Sequence, residues 1–180
     1  MTFKLVRVKS MPKGYLPSKK QLASSYQFFC EFLRHRMGFG HSPYPIYKHR
    51  ILQEMDDATR NGETDILIME PRSHGKTTVD VIPYLPWRWL SEPHLRGGVF
   101  SAGEKHSKKI TSGIIKIIEM LAPYGYYELA ERPKKQELKL VHDRPYIDPS
   151  LECYPIQGSG SVGSGKDVII CDDVYTTENA

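Results

Sequence analysis

Asp65-Ile66-Leu67-Ile68-Met69-Glu70-Pro71-Arg72-Ser73-His74-Gly75-Lys76-Thr77-Thr78 is the stretch on which the reading of this chain turns. A short apolar run ends in a polar turn, and Gly75-Lys76-Thr77-Thr78 opens the next element. That order is the layout of a phosphate-binding loop, in which a buried strand delivers the backbone to a tight turn at a helix N-terminus. In such a loop the backbone from Arg72 through Ser73, His74 and Gly75 to Thr78 wraps a polyphosphate. Lys76 reaches the outer phosphates, and the Thr77 hydroxyl ligates Mg²⁺. The fit is partial. The pattern G-x-x-x-x-G-K-[ST] wants glycine at position 70, where this chain has Glu70, and an arginine, Arg72, stands inside the loop.

Gly160-Ser161-Val162-Gly163-Ser164-Gly165-Lys166 meets the glycine and lysine spacing better. Yet Asp167 stands where the Mg²⁺-binding hydroxyl belongs, and the segment leads into an apolar strand, Val168-Ile169-Ile170-Cys171, rather than a helix. A phosphate cradle needs a helix N-terminus behind it. The later stretch therefore reads as a connection and the earlier one as the nucleotide site.

The 180 residues fit one domain with a real core, and 39% hydrophobic with 26% charged residues is ordinary for a globular protein. No apolar run approaches the roughly 20 residues of a membrane-spanning helix, and the N-terminus lacks the apolar centre of a signal peptide. Three cysteines, Cys30, Cys153 and Cys171, lie far apart with no C-x-x-C pair. That pattern favours reduced thiols in a soluble, cytoplasmic protein over a zinc site. The net charge of +4 permits contact with a polyanion without implying one.

Lys4, Arg7, Lys9, Lys13, Lys19 and Lys20 make residues 1–20 a basic arm. The remainder, 21–180, reads as one α/β domain. Ser18-Lys19-Lys20-Gln21 has the spacing of a capping box, and Leu22, Tyr26, Phe29 and Leu33 recur at helical intervals up to Gly38. A second helix spans roughly Tyr47 to Arg60 and stops at Asn61-Gly62. Tyr47 and His49, at its start, are candidates to line an adenine pocket. Ile66 to Met69, apolar on both faces, reads as a central parallel strand. The helix after the loop should kink or end at Pro83 and Pro86, with Trp87 and Trp89 packing it onto the sheet. Val99 to Ser101 reads as a strand and Glu104 to Leu121 as an amphipathic helix, with a weak strand at 138–141 and another at 151–156. This alternation predicts an α/β fold, a mostly parallel sheet flanked by helices.

Val168 to Cys171 ends in paired carboxylates, Asp172 and Asp173. Ligands of a doubly wound sheet sit at the carboxyl ends of its strands, so the pair is expected to face the phosphate loop. Asp172 can hold the Mg²⁺–water shell, and Asp173 is placed to orient or deprotonate an attacking water.

Together, Pro71-Arg72-Ser73-His74-Gly75-Lys76-Thr77-Thr78, Val99-Phe100-Ser101-Ala102-Gly103-Glu104 and the glycine-rich segment running into Cys171-Asp172-Asp173 resemble the ATPase domain of the large terminase subunit of tailed viruses. The likeness covers about Tyr26 to Val174. It implies a P-loop NTPase of the additional-strand type that binds ATP and Mg²⁺ and drives double-stranded DNA into a capsid. The implied partners are a portal and a small terminase subunit, with the chain in a homo-oligomeric ring. By position, Lys76 and Thr77 match the phosphate and Mg²⁺ residues, Asp172 the Walker B carboxylate, and Arg72 the loop arginine, which has a proposed role on the γ-phosphate. Asp173 stands where the family usually has a catalytic glutamate one methylene longer. The chain stops at Ala180, just past the Walker B strand, so the resemblance implies further core strands and a nuclease domain beyond it.

Overall fold

The computed structural model describes residues 15–38, 44–71, 73–134, 137–144, 148–155 and 165–173. Most of the basic arm, Arg72 and the glycine-serine residues 160–164 lie outside them. Helices flank a small mixed sheet of four strands, an α/β arrangement. The chain divides into two compact units, Met1–Asp80 and Val81–Ala180.

In the first unit the single helix expected after the arm is two, α1 (Lys19–Ala23) and α2 (Tyr26–Met37). The capping box forms: Ser18 N–H donates to Gln21 Oε1 at 2.7 Å, and Gln21 N–H donates to Ser18 Oγ at 3.2 Å. The break falls at Ser24-Ser25, where hydroxyls offer the backbone an alternative to the helix ladder. Ser24 Oγ donates to the Gln21 carbonyl at 2.7 Å, and Ser25 Oγ accepts from Phe28 N–H at 3.3 Å, capping α2. Helix α3 (Ile46–Arg60) packs against α2. Leu22, Tyr26, Phe29 and Leu52 are fully buried, so the aromatics of α2 are core. Asp56 of α3 is buried as well. It accepts from Tyr26 N–H at 3.2 Å, setting a carboxylate at the positive end of α2.

Ile66 to Met69 is not the central strand expected. The segment has no ladder, and Leu67 and Met69 are 85% and 83% exposed. An apolar run of four residues is compatible with a strand covered on both faces, but it forms one only if neighbours flank it. The central place in the sheet belongs instead to a later strand, both of whose edges are taken.

In the second unit that strand is β1 (Gly97–Ser101), followed by α5 (Glu104–Leu121), β2 (Glu137–Leu138), β3 (Leu151–Pro155) and β4 (Val168–Asp172). The order is β2-β3-β1-β4, with β1 parallel to both β3 and β4 and with β2 antiparallel to β3. Ile110, Ile114, Ile117 and Ile118 form the fully buried stripe by which α5 packs on β1 and β3. Ahead of the sheet, a π-helical stretch (Lys76–Val81) runs to Pro83, and α4 (Tyr84–Ser91) starts there. Pro86 sits in the first turn of α4, where its missing N–H has no helical partner to lose. Trp87 and Trp89 are buried, and Trp89 Nε1 donates to the Leu95 carbonyl at 2.9 Å. Leu85 of α4 lies against Gly97, where a Cβ would come within 2.5 Å of Leu85 Cδ1.

Candidate functional site

The loop of the first unit turns sharply rather than running extended. Ser73 and Gly75 have φ of 66° and 82°, left-handed conformations that glycine takes freely and serine rarely. Past the turn, Val79 N–H donates to the Gly75 carbonyl at 2.8 Å, so Lys76, Thr77 and Thr78 lie half-buried on the π-helical stretch. Insertions of this kind concentrate at functional sites. Ser73 and His74 are exposed, and the His74 ring lies 5.7 Å from the Tyr47 ring. Tyr47 thus stands beside the loop. His49 faces α2 instead, with Nδ1 3.1 Å from Gln27 Nε2 and Nε2 3.6 Å from Glu31 Oε1.

Beneath the loop lies a group that the sequence reading passed over. Lys48 of α3 is 1% exposed, and its Nζ donates to both Glu70 oxygens at 2.7 Å and to Asp80 Oδ2 at 2.8 Å. Asp80 is itself fully buried, and its Oδ1 has no hydrogen-bond partner among the described residues. Burial raises the Asp80 carboxyl to about 7, while Lys48 pulls it down and Glu70 pushes it up. The backbone of Asp80 is held too, since Tyr26 Oη donates to its carbonyl at 2.7 Å. Glu70, a mismatch to the loop consensus, is therefore an anchor. The signal available in the sequence was a lysine on the apolar stripe of α3, four residues before Leu52 and seven before Met55.

In the second unit the paired carboxylates stand at the carboxyl end of β4. Asp172 is 1% exposed and pairs in register with Ser101 of β1, while Ala102 N–H donates to the Asp173 carbonyl at 3.3 Å. The chain leaves β1 through Ala102-Gly103 into α5 and returns as β3 on one side of β1, whereas β4 lies on the other. The β1–β4 boundary is thus a topological switch point, where sheets of this class bind ligands. His106, in the first turn of α5, comes to the same place with Nε2 3.0 Å from Asp172 Oδ2. One donor atom each from His106, Asp172 and Asp173 fall within 4.8 Å of one another. Two carboxylates suit a hard divalent cation such as Mg²⁺, and the imidazole adds a nitrogen better matched to softer ones. In the sequence His106 was one of several basic residues opening α5. Its pairing with a residue 66 positions later needs the fold.

The lysine of the second glycine-rich stretch is committed elsewhere. Lys166 is ion-paired with Glu152 of β3, its stem covering Gly98 of β1. Asp167 accepts from Arg96 N–H at 2.9 Å and from Arg96 Nε at 3.1 Å. Both contacts sit at the amino ends of β1 and β4, away from Asp172.

Among the described residues no helix is long and apolar enough to cross a membrane. Compared with protein-family models, curated proteins and solved structures, the chain matches none.

Proposed function

We propose that this chain is a P-loop ATPase domain of the additional-strand type, from the large terminase subunit of a tailed virus, coupling ATP hydrolysis to translocation of double-stranded DNA into a capsid. The observation that carries the reading is the Asp172–Asp173 pair at the carboxyl end of a parallel strand, at the switch point of the sheet. The turned loop ending in Gly75-Lys76-Thr77 supports it independently.

In this reading Lys76 sets its charge against the outer phosphates, and the backbone from Ser73 to Thr78 fixes their position. Tyr47, with His74 beside it, takes the adenine. Asp173 orients the attacking water and accepts its proton, and Arg72 stabilises charge on the transferring phosphoryl group, a role worth about 10³–10⁵ in rate. Thr77 of the first unit and Asp172 of the second are the residues proposed as Mg²⁺ ligands, and Mg²⁺ when bound would supply charge neutralisation at the phosphate oxygens. Duplex DNA, a portal, a small terminase subunit and further copies of the chain are the partners.

A second reading, nucleotide binding without turnover, is favoured by Ile66 to Met69, which form no ladder. Multiple-turnover phosphate release separates the two. Hydrolysis that Asp172→Asn abolishes supports the ATPase. Tight ATP binding with no phosphate release supports the second reading. Lys76→Ala should remove nucleotide binding in either case, because the phosphates lose their main compensating charge. Unaltered ATP affinity in that variant ends both.

A further inference from the structure

We propose that Lys48 is a positioning residue: through Glu70 and Asp80 its single ammonium ties both ends of the 70–80 loop to α3 and so sets where Lys76 and Thr77 stand. The inference rests on the nucleotide-site reading only for what the loop is positioned to do.

The geometry is that of a clamp. Three hydrogen bonds of 2.7–2.8 Å leave one nitrogen, two to Glu70 just before the loop and one to Asp80 at its far end. The three side chains are 2%, 3% and 0% exposed, so water competes with none of them. Charge-assisted bonds in such surroundings are about twice as strong as neutral ones. Between the anchors Ser73 and Gly75 take left-handed conformations. Tyr26 adds a second tie at the far end through the Asp80 carbonyl.

Stability alone does not account for the trio. Two carboxylates share one ammonium, and Asp80 Oδ1 lacks a partner among the described residues. Buried ion pairs are commonly no more stabilising than apolar side chains of the same volume. What an apolar trio could not do is hold two points ten residues apart in fixed register on one helix. The ring of Tyr47, the residue before Lys48, is 5.9 Å from the same ammonium and 5.7 Å from the His74 ring, so the clamp also fixes the loop against its neighbour on α3.

The test is amide hydrogen exchange on the nucleotide-free protein, comparing wild type with Lys48→Met/Glu70→Gln/Asp80→Asn. The triple variant keeps side-chain size, leaves no buried charge and is expected to fold. Amides of 73–79 should exchange about tenfold faster or more, as local opening predicts when charge-assisted bonds are lost, with those of α2 and α3 unchanged. Unchanged exchange in 73–79, or an equal rise throughout α2 and α3, overturns the proposal. A fluorescent ATP analogue is then titrated into both proteins, and affinity should fall about tenfold in the variant. If wild type binds no analogue while exchange in 73–79 still rises, the nucleotide reading fails and the clamp stands.

Discussion

Desolvation lifts the Asp80 carboxyl from its ordinary 3.8 to about 7, opposed by Lys48 and reinforced by Glu70. Tyr26 and Cys30 of α2 also face it, and burial holds both in their neutral forms near pH 7. Below about 7 the Asp80 carboxyl therefore holds a proton in the folded state. Because the folded state keeps a proton that the unfolded chain gives up, this group's contribution to stability is complete below about 4. It falls as pH rises to about 7 and is constant above. Asparagine carries no such proton. Asp80→Asn should thus gain stability relative to wild type across pH 4–7, by at most about 1.4 kcal/mol per pH unit. Urea unfolding at several pH values measures it, and a difference independent of pH would show that Asp80 is ionised throughout. At this scale the sequence supplied Lys76, Thr77, Asp172 and Asp173 as chemistry-bearing types at sensible positions. It did not supply the partners Lys48 and His106, because each acts on a residue distant along the chain.

At the scale of elements, local signals carried far. Gly38 ends α2 with φ of 61°, Asn61 caps α3, and α5 spans the predicted Glu104–Leu121. These limits are written in capping residues and helical periodicity, both local. The strand at Ile66 to Met69 failed because strand formation is not local: it depends on which neighbours supply the ladder. The seat of α4 on β1 is similarly a matter of packing. Gly97→Ala would drive a methyl into Leu85, whose Cδ1 is 2.5 Å and Cγ 3.3 Å from the new atom. It should cost about 1–3 kcal/mol, seen as a lower urea midpoint at constant slope. Adding Leu85→Ala should recover part of that loss, since the two positions are in contact. Additive losses would mean that the strain lies elsewhere.

For the whole molecule, the α/β class follows from alternating helical and strand patterns, and the sheet has that character with one antiparallel edge, β2. The proposed motor makes a prediction at this scale. Duplex DNA should stimulate ATP turnover more than single strands do. Its affinity should fall linearly on a log–log plot against salt, with a slope of about −0.9 per phosphate contact. Stimulation by single strands alone would favour a helicase-like translocase. Lys108, near the start of α5, is ion-paired with Glu104 on the surface, so Lys105 and Lys109 are the better positions to neutralise in that assay.

The sequence by itself determined the class of fold and the limits of α3 and α5, and it offered the residue types able to handle a phosphate. All of these depend on neighbours within a few positions along the chain. Only the tertiary structure decided that β1 rather than Ile66 to Met69 is central, that Glu70 and Asp80 share the ammonium of Lys48, and that His106 meets Asp172. Those outcomes depend on which distant groups are desolvated together, and burial of charge next to charge is a property of packing that no local pattern encodes.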